Sequence, residues 1–282
     1  MNKQVTLKDK VIWITGSSRG LGRVMASELF SRGANVAVHG TRPDSPKTFG
    51  EGESMQQVAD DIAADNQIEG VDNQTMAVWG DVTDASEVKR IADEIRNNWG
   101  RIDILICCAG GDIGARGTAV GKGGRPENDD CLNISSDDLQ SVMDRKLTAT
   151  IYCCREVAPE MMQRKQGRII TIGSIAGCSG RASGAIYSVA KAAVHEYTRC
   201  LADQLRPFNI PVNCLAPGPT VTERFLRIHP IDEERLVEQG TLDRYGRPIE
   251  TATAVAFLCS DDSQFISGQV LRVDGGLQVF PG

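Results

Sequence analysis

Tyr187 and Lys191 stand four residues apart in the run Tyr187-Ser-Val-Ala-Lys191. Four residues is about one helical turn, so both side chains project from one face of a helix. A free phenol titrates near ~10, too high for ready proton exchange at neutral pH. A neighbouring ammonium favours the ionised phenol, which makes Tyr187 a candidate general acid/base tuned by Lys191. Ser174 closes the run Ile169-Ile-Thr-Ile-Gly-Ser174 and offers a hydroxyl that can hydrogen-bond and orient a carbonyl oxygen. The Tyr–Lys spacing alone is also that of an ordinary surface pair. It acquires meaning from a second motif near the start of the chain.

That motif is Thr15-Gly16-Ser17-Ser18-Arg19-Gly20-Leu21-Gly22, which joins a strand-like run to a helical one. Glycines here let the backbone turn tightly and approach a pyrophosphate, which rests against the free N–H groups of the helix start. The spacing is G-x-x-x-G-x-G, distinct from the G-x-G-x-x-G of other dinucleotide folds. The second strand ends Val38-His39-Gly40-Thr41-Arg42, with no acid before Asp44. An acid there would hold the ribose hydroxyl of NAD, whereas Arg19 and Arg42 are suited to an additional 2′-phosphate. This favours NADP(H), with NAD(H) left open and solvated arginines as the other reading. Gly117-Thr-Ala-Val-Gly-Lys122 is one residue short of a phosphate-binding P-loop and lacks the hydroxyl residue after its lysine, so it is set aside.

The elements that must carry these groups alternate along the chain. Strand-like runs lie at 11–15, 35–39, 75–79, 103–107, 168–172, 211–215 and 270–273, and helical patterns at 21–32, 85–99, 136–163 and 185–206 separate several of them. Such alternation predicts an α/β fold of the doubly wound Rossmann type: a mostly parallel sheet, helices on both faces, one domain over 1–282. Segments at about 43–55 and 110–133 follow strands and read as insertions at the carboxyl ends, where ligands bind. The second is read as a lid or substrate-shaping loop, with a plain surface insertion as the alternative. Arg116, Arg125, Arg181 and Arg224 are candidate anchors for an acidic substrate, or simply solvated.

The 282 residues are 41% hydrophobic and 24% charged, proportions of an ordinary globular protein. A net charge of −6 gives no support to a nucleic-acid partner, and no apolar run is long enough to span a membrane. Lys8, Asp9 and Lys10 interrupt any secretory core behind Met1–Val5. Nine cysteines without a Cys-x-x-Cys, and three scattered histidines, argue for reduced thiols, no metal site and a cytoplasmic location.

With these motifs in order, the chain resembles the short-chain dehydrogenase/reductase family, in the compact form of 3-oxoacyl-(acyl-carrier-protein) reductases. The resemblance covers nearly the whole chain: Thr15 to Gly22, Asp81-Val82, Ala109-Gly110, Ser174, Tyr187-x-x-x-Lys191, Pro217-Gly218-Pro-Thr220-Val-Thr222 and Val273-Asp-Gly-Gly276. It implies that Asp81 and Val82 contact adenine, Ala109 and Gly110 the ribose side, and Pro217, Gly218, Thr220 and Thr222 the nicotinamide. Lys191 would also bind the nicotinamide ribose. Long helices after Ser136 and Ala185 match those that pair in family tetramers, which implies a homotetramer or homodimer.

Two positions depart from the family. Cys107-Cys108-Ala109-Gly110 replaces Asn-Asn-Ala-Gly, which should loosen a hydrogen-bond network. Lys146 stands in Met143-Asp-Arg-Lys146-Leu147, where the family places a catalytic Asn. Lys146 then relays protons itself, weakens turnover, or points away with a solvated head group. A second ammonium near Lys191 would lower a lysine pKa. The expected function is NADP(H)-dependent hydride transfer between nicotinamide and a small carbonyl or alcohol substrate. The alternative, motivated by Lys146 and Cys107, is a weakly active or non-catalytic dinucleotide-binding scaffold or sensor. A sugar-nucleotide epimerase would need a larger C-terminal substrate domain.

Overall fold

A computed structural model describes residues 6–119 and 122–279. Met1–Val5 and part of the 110–133 segment, including residues of the Gly117–Lys122 run, lie outside the described residues. Seven parallel strands form one sheet in the order β3-β2-β1-β4-β5-β6-β7. They are β1 Val11–Thr15, β2 Asn35–Gly40, β3 Thr75–Trp79, β4 Ile104–Cys107, β5 Arg168–Ile172, β6 Val212–Pro217 and β7 Val270–Val273. The order reverses between β1 and β4, which opens a crevice at the carboxyl ends of those strands.

The central strands β1, β4, β5 and β6 are buried throughout because helices cover both faces. Ile12 and Ile14 of β1 face a layer formed by α1 (Gly20–Phe30), α2 (Met55–Asn66) and α8 (Pro248–Cys259), while Val11 and Trp13 face the opposite layer. That second layer is built from α3 (Ala85–Trp99), α5 (Ala149–Arg164) and α6 (Ala185–Leu205). Helix α2 was not anticipated, although Ser54 caps it through Gln57 N and Met55, Val58, Ala59 and Ile62 form its buried stripe. The adjoining Pro/Gly/Ser-rich stretch masked that short period.

The long helical pattern from Ser136 is three pieces in the structure. Helix α4 (Ser136–Met143) runs into a π-helical turn, Asp144–Thr148, and then into α5. An extra residue in such a turn re-aims the side chains it carries, and Lys146 is one of them. The Cys107 and Cys154 sulfurs meet at 3.9 Å inside the second layer as free thiols.

Candidate active site

Loops at the carboxyl ends of six strands, β1 to β6, wall one cavity of about 880 Å³. Its cofactor-side wall is the turn from β1 to α1. Gly16 has φ +69°, and a Cβ on it would come within 2.6 Å of Ala109 Cα; one on Gly22 would come within 2.3 Å of the Gly16 carbonyl oxygen. Only glycine allows this turn and the close packing beneath it. The cap residue Arg19 makes no side-chain bond to the start of α1; the first N–H, on Gly20, donates to Glu51 Oε2 at 2.7 Å, and Gly20, Leu21 and Gly22 line the cavity, where a helix start favours an anion. This arrangement fits the phosphates of a dinucleotide.

His39, at the position where an acid was sought, instead holds the turn from behind. Its Nδ1 accepts from Gly16 N at 3.0 Å, and its Nε2 lies 3.1 Å from Gly80 O, an acceptor. These partners require the neutral Nε2–H tautomer. Burial pushes its pKa down to about 4, in agreement with that form.

Of the residues expected to contact the cofactor, Ser18, Arg19, Gly20, Leu21, Gly22, Thr41, Arg42, Asp81, Val82, Ala109, Gly110, Pro217, Gly218, Thr220 and Thr222 all line the cavity with Gly16. Thr15 does not. It is buried, and its Oγ1 accepts from both Cys108 N and Ala109 N at 3.0 Å. Thr15 therefore acts through the 108–109 backbone, next to the Cys107 that replaces Asn.

At the other end stand Ser174, Tyr187, Lys191 and Lys146. Lys191 Nζ donates to Ile172 O at 2.5 Å and lies 5.8 Å from the centre of the Tyr187 ring. Lys146 Nζ lies 5.2 Å from the same centre. Lys146 is only 2% exposed, so its head group is in the site and the solvated reading falls. Burial and the neighbouring Lys191 charge drive its pKa well below the ordinary lysine range. Ser174 Oγ caps the following 3-10 turn by accepting from Ala176 N. His195, unremarked in the sequence, accepts from Ser174 N through Nε2 at 3.4 Å, and burial holds its pKa down at about 4.

Among the described residues of the 110–133 segment, Gly110, Gly111, Asp112, Ile113, Gly117, Thr118 and Arg125 line the cavity. Arg125 pairs with Asp112 at 2.8 Å, and Arg224 donates to the carbonyls of Asp112 and Gly123. Two of the four candidate anchors thus staple the segment. Arg181 lines the cavity, whereas exposed Arg116 pairs with Glu127 at 3.7 Å and is not among the lining residues. The segment also caps the helix that carries Tyr187. Asp129 O accepts from Gly184 N and Ala185 N, and Asp129 Oδ1 accepts from Ile186 N. Apolar wall comes from Ile113, Phe225, Ile228 and Tyr245, of which Phe225 and Ile228 are carried on α7 (Glu223–Ile228), which Thr222 caps.

A family model described as enoyl-(acyl carrier protein) reductase matches residues 16–278. The chain is 37% identical over 280 residues to cyclohexanol dehydrogenase of Rhodococcus sp. (strain TK6), covering 98% of this chain and 99% of that protein. It is 30% identical to a 3-oxoacyl-(acyl-carrier-protein) reductase of Staphylococcus aureus (strain Mu50 / ATCC 700699), over 94% and 96% of the two chains. Among solved structures, 7α-hydroxysteroid dehydrogenase complexed with NADH and 7-oxo glycochenodeoxycholic acid superposes with a TM-score of 0.79 at 26% identity, covering 97% of this chain and 96% of that one. A short-chain type dehydrogenase/reductase from Mycobacterium marinum gives 0.79 at 28% identity, with 98% of each chain covered. Sequence motifs, sheet order and these likenesses converge: the chain belongs to the short-chain dehydrogenase/reductase family of oxidoreductases.

Proposed function

We propose that the protein interconverts a secondary alcohol and its ketone, with Tyr187 as the general acid/base. The observation that carries this reading is one cavity with the glycine turn at one end and Ser174, Tyr187 and Lys191 at the other. A bound nicotinamide dinucleotide supplies or accepts the hydride at the carbonyl carbon. Ser174 holds the oxygen, and Tyr187 gives it a proton in reduction or takes one in oxidation. Lys191, fixed to Ile172 O, keeps a positive charge near the phenol and binds the nicotinamide ribose.

The cavity wall supports an uncharged cyclic substrate more than an acidic one. Arg125 and Arg224 are engaged by Asp112 and by carbonyl oxygens, and the remaining wall near Tyr187 includes Phe225, Ile228 and Tyr245. The relative named for cyclohexanol points the same way. Cofactor choice turns on Arg19 and Arg42, which suit the 2′-phosphate of NADP(H), against any fixed negative charge beside them. A cytoplasmic homotetramer or homodimer, paired through α4–α5 and α6, completes the reading and rests on the family resemblance.

The test is a panel of cyclic ketones and alcohols, sugar acids and acyl thioesters, followed at the nicotinamide absorbance with both cofactors. Turnover is expected on cyclic ketones or alcohols, and Tyr187→Phe should lower it by at least about 100-fold. A fully active Tyr187→Phe enzyme sinks the assignment.

A further inference from the structure

We propose that His195 is a positioning residue for this reaction: its imidazole fixes the Ser174 backbone to the face of α6 that carries Tyr187, so that the two hydroxyls close on one carbonyl oxygen. The inference rests on the proposed roles of Ser174 and Tyr187. His195 stands four residues after Lys191 and eight after Tyr187, so the three side chains follow one another along one helix face. Tyr187 and Lys191 line the cavity, whereas His195 does not and is only 3% exposed behind it.

Ser174 reaches the cavity where the chain leaves the sheet. Gly173 N still bonds across to Leu215 O at 2.7 Å. Ser174 N, one residue farther on, donates to His195 Nε2 at 3.4 Å. The turn is wrapped around the imidazole. A Cβ on Gly173 would overlap His195 Nε2, and one on Gly177 would come within 2.8 Å of His195 Cε1 and 2.7 Å of Ala192 N. Glycines on both sides of Ser174 thus let its backbone approach the helix more closely than a side chain would permit. Within the turn, Ser174 O accepts from Gly177 N at 3.0 Å. Ser174 Oγ accepts from Ala176 N at 3.2 Å, which leaves the hydroxyl proton for the substrate oxygen. Lys191 Nζ holds Ile172 O from the same helix face. Strand end and serine turn are both referenced to α6, and Ser174 keeps its place beside Tyr187 as long as Nε2 accepts. That acceptor must be unprotonated, and burial keeps the imidazole neutral. A turn displaced by about 1 Å carries the hydroxyl off the carbonyl oxygen, at a cost on the order of 100-fold in rate.

Steady-state reduction of cyclohexanone, or of whichever cyclic ketone the native protein reduces fastest, tests this, with calorimetry of the dinucleotide alongside. His195→Leu keeps the bulk and removes the acceptor. It should lower kcat by about 10- to 100-fold, with KM and dinucleotide affinity each changed by less than about threefold. His195→Gln can place an amide oxygen where Nε2 stood and should restore kcat to within about threefold of native. In a Ser174→Ala background, which has already lost the hydroxyl, His195→Leu should cost less than about a further twofold. Native kcat in His195→Leu, an equal loss in the Leu and Gln variants, or an undiminished loss in the Ser174→Ala background overturns the inference alone. Failure of the native protein to reduce any ketone, or full activity in Tyr187→Phe, overturns it together with the proposed function. Should His195→Leu not fold, His195→Gln against His195→Asn decides. The shorter amide falls short of Ser174 N and should lose kcat while the longer one keeps it, and equal activity of the two overturns the inference.

Discussion

Asp129 offers a perturbation whose size and sign can be worked out. Its carboxylate accepts from Ile186 N, the residue before Tyr187, yet its Oδ2 and the Oδ1 of Asp112 are both buried without partners among the described residues. Two ionised carboxylates cannot satisfy each other, but one shared proton serves both oxygens. Burial, together with the nearby charge and hydrogen-bonding oxygen of Asp112, lifts the Asp129 pKa to about 6 from 3.8. The folded chain therefore keeps a proton that the unfolded chain releases. The resulting contribution to stability is complete below about pH 4 and is lost as pH rises through about 6. A rise of that size corresponds to at most about 3 kcal/mol. Water still reaches part of the pair, so roughly 1–2 kcal/mol is expected after screening.

Asp129→Asn keeps an acceptor for Ile186 N, carries its own donors for Asp112, and removes the titration. Thermal melts of both proteins at pH 5 and pH 7.5 should show it. The native chain should lose about 2–4 °C more than the variant between those two values, for a chain of this size. Asp129→Ala should behave differently, because it loses the bond to Ile186 N. It should lower Tm at both pH values by about 2 °C and reduce turnover through a displaced Tyr187. Parallel melting curves for the native chain and Asp129→Asn would refute the shared-proton argument.

Two other substitutions probe the opposite walls of the cavity. The Lys146 pKa lies below its ordinary value, so the unfolded chain binds more protons and native stability rises with pH from neutrality toward the lysine range. Lys146→Met should abolish that slope and stabilise the fold at pH 7 by about 1 kcal/mol or more, and melts at pH 7 and pH 10 with an unchanged slope would count against it. His39→Leu leaves Gly16 N and Gly80 O without their partner in the interior, at a cost of about 2–4 kcal/mol, and should weaken dinucleotide binding in calorimetry. Unchanged stability and affinity would show that the imidazole does not hold the turn.

What was legible in the sequence divides along a physical line. The seven strands, the glycine turn and the Tyr187–Lys191 face are local patterns: apolar runs of strand length, spacings of one helical turn, glycines where a Cβ cannot fit. Each follows from residues within about ten positions of one another, and the parallel sheet brings their loops to one edge. Glu51, His39, His195 and Asp129 were not legible because their significance lies in contacts across long separations. Glu51 meets Gly20 over 31 residues and Asp129 meets Ile186 over 57. Nothing in the 43–55 stretch distinguishes Glu51 from Glu53, and only the fold aims the former at α1.

The arginines show the same limit from the other side. Counted along the chain, Arg125 and Arg224 suggest a cationic pocket. In the structure the Asp112 carboxylate pairs with Arg125, and Arg224 donates to the carbonyls of Asp112 and Gly123, so both guanidiniums are fixed in the wall. The sign of a site is set by which charges are left over after the walls have been stapled.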